Sequence, residues 1–277
     1  MPRVLKLLSS FVILVILCLL YGFLIEPRQL KTRNITLNAV KELDAPIRIV
    51  LLSDIHIGGP HVSAKRVEAL VSHINMMNPD IILMPGDFIN GHTSRNEHTP
   101  HFQAEVDAGL AAFKVLQTPL GQFATLGNHD VWYDAEYVDT KLGEANIAVL
   151  QNRAVNLPGN ICLVGLADHD TQREDPKAFN DCVTGSAIIA MMHSPDSFPL
   201  IRSDTVLAVA GHTHGGQVNI PLIGRRVTAT SSGRKYAYGK VNLNGTVGYV
   251  TAGIGTSILS ARFRSPPEIV LLELRPN

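Results

Sequence analysis

The amino-acid sequence predicts an α/β protein, a layered sandwich of two β-sheets preceded by one N-terminal transmembrane helix. Strand-like apolar runs alternate with amphipathic helical stretches from residue 47 to about residue 210. After Gly215 the chain becomes rich in glycine and β-branched residues, which is typical of a strand-rich end. With 45% hydrophobic and only 17% charged residues, the chain has the composition of a folded protein with a large core.

The N-terminal segment is the predicted membrane anchor. Residues 7–25 are almost wholly apolar, and a helix of that length spans about 30 Å of hydrocarbon. A cleaved signal peptide is the alternative, but its usual small-x-small cleavage site is absent here. Basic residues flank the segment on both sides, so the sequence does not reveal which side of the membrane the rest of the chain faces. We therefore expect a single-pass membrane protein with an anchor (1–27), a connector (28–46) and a main domain (47–277).

The elements of the main domain follow from its apolar periodicity. Residues 47–53 form a continuous apolar run, as expected for a strand buried on both faces. Residues 64–77 form a helix, because Val67, Leu70, Val71 and Ile74 recur at helical spacing. The other predicted strands are 81–84, 122–126, 148–150, 161–165, 187–192, 206–210, 248–251 and 269–274, and the other predicted helices are 104–116 and 135–144. An edge strand is expected at 35–37 within the connector.

Charge and cysteine usage exclude some classes of function. Lys+Arg and Asp+Glu are 24 each, and this balance gives no support for a nucleic-acid partner. Cys18, Cys162 and Cys182 have neither zinc-site nor redox-motif spacing. We therefore expect three buried thiols that act as small apolar groups, and no disulfide framework.

Polar clusters follow the strong strands, where ligands converge in open α/β sheets. In chain order the clusters are Asp54-Ile55-His56, Gly86-Asp87, Gly127-Asn128-His129-Asp130, His193, and Gly211-His212-Thr213-His214. Taken singly, each has a structural alternative: a turn, a helix N-cap or a structural histidine. Taken together, two Asp, one Asn and four His without a thiolate suit manganese, iron or zinc. Seven ligands serve two divalent metal ions if one carboxylate bridges them.

These five blocks in this order resemble the calcineurin-like metallophosphoesterase superfamily. The Gly-Gly-Gln that follows the last block resembles a bacterial, membrane-associated phosphodiesterase branch of GHTHGGQ type. The resemblance implies a four-layer α/β/β/α sandwich, two divalent metal ions with manganese favoured, and a place in the bacterial inner membrane. Some relatives of this branch hydrolyse the pyrophosphate of UDP-2,3-diacylglucosamine.

The resemblance also implies a role for each residue of the blocks. Asp54, His56 and His214 resemble ligands of the first metal ion, Asp87 resembles the bridge, and Asn128, His193 and His212 resemble ligands of the second. His129 resembles the histidine that contacts the phosphate without binding metal and protonates the leaving oxygen. Asp130 is expected to orient the ring of His129.

The resulting prediction is an enzyme that hydrolyses phosphodiester or pyrophosphate bonds, with a lipid-linked or envelope intermediate as its substrate. A phosphomonoesterase or phosphoprotein phosphatase is the alternative, and a metal-binding scaffold without turnover belongs to a third class. His92, His98 and His101 lie in a polar loop that either borders the substrate site or is simply solvated. His169 follows another strand and is a candidate for the rim of the site.

Overall fold

The computed structural model describes residues 2–38, 40–171 and 173–276. Its α-helices are Pro2–Leu20 (α1), Ala64–Met76 (α2), Pro100–Ala111 (α3) and Asn128–Glu144 (α4). A π-helical turn (Tyr21–Ile25) and a 3-10 turn (Glu26–Arg28) extend α1. The strands are Lys31–Leu37 (β1), Ile47–Leu51 (β2), Ile81–Pro85 (β3), Gln122–Thr125 (β4), Ile147–Val149 (β5), Arg153–Leu157 (β6), Ile161–Gly165 (β7), Ala187–Met191 (β8), Thr205–Ala210 (β9), Asn219–Ile220 (β10), Gly224–Arg225 (β11), Gly239–Leu243 (β12), Thr246–Val250 (β13) and Glu268–Leu274 (β14).

Two six-stranded sheets form the sandwich. The first has the order β1-β14-β2-β3-β4-β5 and the second β12-β13-β9-β8-β7-β6. They face each other through a core that includes Ile49, Leu83, Ile189 and Val209. Helices α2, α3 and α4 cover the outer face of the first sheet. The predicted fold class is confirmed.

The outer layer of the second sheet is built from short 3-10 helices. Phe179, Phe198 and Tyr236 come from three such helices and pack against buried residues of β7, β8 and β9. Each of these helices supplies one large aromatic ring, so a few residues cover the apolar outer face. The fourth layer of the sandwich is therefore present, but it consists of short 3-10 helices in place of α-helices.

Parallel pairing places the carboxyl ends of the strands that precede the polar clusters at a common edge of each sheet. Strands β2, β3 and β4 are parallel neighbours in the first sheet, and β7, β8 and β9 are parallel neighbours in the second. Their carboxyl ends therefore lie at one edge of each sheet. All five polar clusters of the sequence follow strands of these two sets.

The structure extends some predicted elements and adds others. Helix α3 begins at Pro100, where the side chain of Thr99 accepts the N–H of Phe102. Helix α4 begins at Asn128, so the third polar cluster forms its first turn, and a kink follows at Asp134. Strands β6 and β12 were not predicted. They are the two edges of the second sheet, and their residues are only partly buried, so they lack a strong apolar pattern.

The cysteine prediction was wrong for one pair. Cys162 in β7 and Cys182 form a disulfide, with their Cα atoms 5.6 Å apart. Cys182 directly follows the 3-10 helix Pro176–Asp181, which packs over β7 and brings its end back to that strand. The folded chain creates this proximity, which the 20-residue separation does not reveal. Cys18 carries a free thiol as expected, but it is only partly buried.

The N-terminal segment is both membrane-like and attached to the sandwich. Arg3–Arg28 is the one stretch of the described residues that is long and apolar enough to cross a membrane, and an 18-residue window within it has a mean hydropathy of 2.8. Its side chains are mostly exposed, but Gly22, Glu26 and Pro27 at its end are buried. Strand β1 pairs with β14 along its whole length. The segment expected to be a connector therefore contributes a full edge strand, and the expected boundary at residue 27 falls within packed structure.

Candidate metal centre

The polar clusters converge into two groups of side chains that share Asp87. Asp54, His56, Asp87 and His214 form the first group, and Asp87, His193 and His212 form the second; within each group the potential ligand atoms lie within 4.8 Å of one another. The side-chain oxygen of Asn128 lies 3.2 Å from His193 Nε2, which adds it to the second group. The structure thus brings together all seven residues that the sequence suggested as metal ligands.

Asp87 lies between the two groups. One of its carboxylate oxygens, Oδ2, is 3.5 Å from His56 Nε2 and 3.3 Å from His193 Nε2. His56 Nε2 faces His214 Nε2 at 3.0 Å, and His193 Nε2 faces His212 Nδ1 at 3.1 Å. A single carboxylate oxygen within reach of both groups is the arrangement that a bridging ligand requires.

The backbone that carries these residues is strained. Five of the seven have left-handed φ angles: Asp54 (50°), His56 (53°), Asp87 (57°), His212 (68°) and His214 (51°). The left-handed conformation costs a non-glycine residue roughly 1–2 kcal/mol. Strain of this kind persists where the surrounding structure enforces it, and it concentrates at functional sites. Here it belongs to the short turns after β2, β3 and β9, which direct successive side chains toward one point.

Close approach of two segments requires one glycine beside the centre. A Cβ atom at Gly127 would collide with the carboxylate and the backbone nitrogen of Asp87. The third polar cluster can therefore approach the second only because residue 127 has no side chain.

Burial sets the charges of the centre. Asp54 and His56 are fully buried; burial raises the pKa of Asp54 to about 7 and lowers the pKa of His56 to about 3. Burial and the neighbouring His56 lower the pKa of His214 well below its usual range. The neutral imidazoles of His56 and His214 thus face each other and face carboxylates that are costly to bury unpaired. A divalent cation bound between them stabilises such a set, and the oxygen and nitrogen donors fit divalent metal ions.

His129 lies beside the first group and is held by two contacts. Its Nδ1 is 3.0 Å from the carbonyl oxygen of Gly91, and its Nε2 is 3.3 Å from Ser257 Oγ. Its ring packs edge-on against His56, with 4.8 Å between ring centroids. Since the carbonyl can only accept a hydrogen bond, we assign a proton to Nδ1. Nε2 is then the nitrogen that faces Ser257.

The expected contact between Asp130 and the ring of His129 is corrected by the structure. The carboxylate of Asp130 instead accepts backbone N–H groups of Asp87 (2.8 Å), Phe88 (2.9 Å), Ile89 (3.1 Å) and Gly127 (3.0 Å). Asp130 therefore fixes the turn that carries Asp87, and the Gly91 carbonyl orients His129. The position of Asp130 next to His129 in the sequence was misleading, because its side chain is directed toward the backbone of the turn that carries Asp87.

Three residues that sequence reasoning missed contact the centre. Asp170 Oδ2 is 3.2 Å from His212 Nε2, so it can fix the orientation of that ring. The fully buried Arg262 directs its guanidinium toward His214 Nδ1 at 3.5 Å and donates to the carbonyls of Ala252 and Gly255. Ser257 contacts His129. Ser257 and Arg262 lie outside the five polar clusters, and Asp170 was overlooked beside the rim candidate His169.

Of the other candidate histidines, His92 borders the metal centre, whereas His98 and His169 have partners elsewhere. The ring of His92 packs against His129 with 4.5 Å between centroids, so the polar loop does border the site. His98 stacks on Phe102 at 4.2 Å, and His169 Nδ1 pairs with Glu174 Oε1 at 2.5 Å. In the segment after β7, the carboxylate of Asp170 reaches the centre in place of His169.

Comparisons with known proteins give a consistent result. A family model described as calcineurin-like phosphoesterase matches residues 47–216, a range that contains all nine candidate site residues. An uncharacterized metallophosphoesterase of Aquifex aeolicus (strain VF5) is 28% identical over 243 residues, covering 83% of this chain and 85% of that protein. Phosphodiesterase YaeI of Escherichia coli (strain K12) is 29% identical over 245 residues, covering 84% of each chain. A Danio rerio protein named transmembrane protein with metallophosphoesterase domain is 30% identical over 190 residues, covering 62% of this chain and 41% of that protein.

Proposed function

Because this chain belongs to the calcineurin-like phosphoesterase family and is a metal-dependent phosphoesterase, we propose that it hydrolyses phosphodiester or pyrophosphate bonds with two bound divalent metal ions. The observation that carries the proposal is the placement of Asp87 between two complete groups of ligand-type side chains, with His129 beside them. A non-catalytic scaffold would need neither the shared carboxylate nor the adjacent histidine.

Each residue of the centre has a proposed task. Asp54, His56, Asp87 and His214 would hold one ion, and Asp87, Asn128, His193 and His212 would hold the other; manganese is the proposed metal, with iron and zinc as alternatives. Bound divalent ions activate a water molecule and stabilise charge on the phosphoryl oxygens. Asp130 holds the turn of Asp87 in place, and Asp170 and Arg262 position His212 and His214.

His129 supplies the proton. The Gly91 carbonyl keeps the Nδ1 proton in place, so a protonated ring can release only the proton on Nε2. That nitrogen faces the hydroxyl of Ser257, which can orient the ring through a second hydrogen bond. We propose that His129 gives this proton to the leaving oxygen of the substrate. Protonation neutralises the negative charge that develops on this oxygen as its bond to phosphorus breaks.

The substrate class is tested by comparing reactions on the full chain loaded with Mn²⁺. Bis(4-nitrophenyl) phosphate, 4-nitrophenyl phosphate and UDP-2,3-diacylglucosamine represent diester, monoester and lipid-linked pyrophosphate. We expect kcat/KM for the diester or the pyrophosphate to exceed that for the monoester by about tenfold or more. Cleavage of the monoester alone would favour a phosphomonoesterase or phosphoprotein phosphatase, and no turnover with full metal content would favour the scaffold.

A membrane location is the second part of the proposal. The apolar helix supports a single-pass membrane protein, and a bacterial inner membrane is its proposed location. An anchor concentrates the site at a bilayer surface where a lipid-linked substrate resides. The Cys162–Cys182 disulfide favours a domain on the oxidising, extracytoplasmic side. Mass spectrometry of the protein from native membranes, without reductant, is expected to find the two cysteines linked. Free thiols at both positions would place the domain in the reducing cytosol.

A further inference from the structure

Six exposed apolar side chains form a surface beside the metal centre. Two loops supply them, and they are Ile220, Leu222, Ile223, Val227, Ile258 and Leu259, here called the apolar rim. Leu222 and Ile258 extend fully into solvent, with exposed fractions of 109% and 94%. Single exposed apolar residues are ordinary, but a cluster of large ones indicates a surface that is covered by something else.

Gln217 joins the two loops into one surface. Its side-chain nitrogen donates to the carbonyls of Ser257 (3.1 Å) and Leu259 (2.9 Å), and its side-chain oxygen accepts the N–H of Ser257 at 2.8 Å. The hairpin of β10 and β11 begins two residues later, and it carries the other part of the apolar rim. The two loops are therefore fixed relative to each other.

The apolar rim is attached to the end of the membrane-type helix. The N–H of Arg262 donates to the carbonyl of Gly22 at 2.9 Å, and Phe263 packs edge-on against Tyr21 with 6.2 Å between ring centroids. Phe263 also accepts the N–H of Asn219 at 2.8 Å, at the start of the hairpin. Glu26 accepts the N–H groups of Arg264 (2.8 Å) and Ser265 (2.6 Å). The apolar rim thus begins beside the end of the apolar helix.

The segment of the chain that carries the apolar rim contains only positive formal charges. Residues 205–267 contain seven Lys or Arg and no Asp or Glu, in a chain whose net charge is zero. Exposed cations among them include Arg226, Arg234, Lys235 and Arg264. A segment that exposes both large apolar and basic side chains has the composition that binds the interface of an anionic bilayer.

The apolar rim also borders the reaction site. Ser257, which precedes Ile258, contacts the Nε2 atom of His129 at 3.3 Å. We propose that the apolar rim inserts into the surface of an anionic bilayer beside the protein's own anchor, so that a phosphate-bearing lipid headgroup enters the metal centre directly from the membrane. This inference rests on the proposed membrane location and lipid-linked function.

Tryptophan fluorescence of the full chain in liposomes tests the insertion. The chain has one tryptophan, so Leu222→Trp, Ile258→Trp and the control Met76→Trp are each made in a Trp132→Phe background. Met76 is a matched control because it is 72% exposed and lies at the end of α2, which returns to the opposite ends of the strands. The liposomes contain phosphatidylcholine and phosphatidylglycerol, with bromine on the acyl chains as the quencher.

We expect bromolipid quenching at positions 222 and 258 and none above background at position 76. In pure phosphatidylcholine the quenching should fall by roughly twofold, because the attraction to anionic headgroups is lost.

Quenching at positions 222 and 258 equal to that of the control, in protein that floats with the liposomes, would overturn the inference and leave the anchor intact. If the protein did not float with the liposomes, the proposed membrane anchor would be refuted, and the inference that rests on it would fail as well. Equal quenching in both lipids would overturn the choice of an anionic surface. Hydrolysis of bis(4-nitrophenyl) phosphate by the unsubstituted chain in the same liposomes reports separately on the proposed chemistry, because the ring of Trp132 packs against His129.

Discussion

The last turn of the N-terminal helix carries a buried carboxylate whose removal should destabilise the whole sandwich. Glu26 is 1% exposed and accepts the backbone N–H groups of Arg264 and Ser265 at 2.8 and 2.6 Å. A hydrogen bond to a charged group contributes about 1.5–3 kcal/mol. Water can partly replace the bond at Arg264, which is exposed, so we expect Glu26→Ala to lower the free energy of unfolding by about 2–4 kcal/mol.

The assay is thermal unfolding of a fragment that begins at Tyr21 and keeps the packed turn. For a domain of this size, a loss of 2–4 kcal/mol corresponds to a Tm lower by about 5–15 °C. Glu68→Ala is the matched control, since Glu68 is exposed on α2, and its effect should stay within about 0.5 kcal/mol. A fragment that begins at Arg28 should be at least as unstable as Glu26→Ala. If the two fragments melted alike, the turn would not stabilise the sandwich, and residues 1–27 would be dispensable for folding.

Three further predictions concern the metal centre. Asp87→Asn should lose both ions together, because one carboxylate serves each group, and elemental analysis that finds two ions per chain would refute the bridge. His129→Ala should keep its metal but lose about 10²–10⁴ in turnover, with a smaller loss for a nitrophenolate leaving group that needs no proton; loss of metal instead would make His129 a ligand. Gly127→Ala should lose metal affinity because its Cβ meets the Asp87 carboxylate, whereas Gly143→Ala, with open space in α4, should leave metal content unchanged and the Tm equal or higher.

The sequence was informative wherever chemistry and strand position coincide. The ligand-type residues follow apolar strands, and parallel strands end at a common edge, so their convergence could be predicted without coordinates. The assembled centre agrees with that expectation for Asp54, His193 and the other five residues. The strong strands are buried along almost their whole length, so their apolar runs were also visible in the sequence.

The contacts that depend on packing could not be predicted. Cys162 and Cys182 become neighbours only after a 3-10 helix folds over β7. In the sequence, Glu26 looks only like the end of a membrane segment. Its buried role is not visible there, because its hydrogen-bond partners lie 238 and 239 residues away. Asp130 was given a role from its place next to His129, but the first turn of α4 directs its carboxylate under the Asp87 turn. In each case the partner is chosen by tertiary geometry, which spacing along the chain does not encode.

The central claim is that hydrolysis depends on two metal ions that share Asp87. The most direct measurement is titration of metal-free full chain with Mn²⁺, with ions bound per chain and the rate of bis(4-nitrophenyl) phosphate hydrolysis followed in the same samples. The account predicts that two ions bind and that full activity returns only as the second site fills. Full activity at one ion per chain, or hydrolysis that persists without metal, would contradict it.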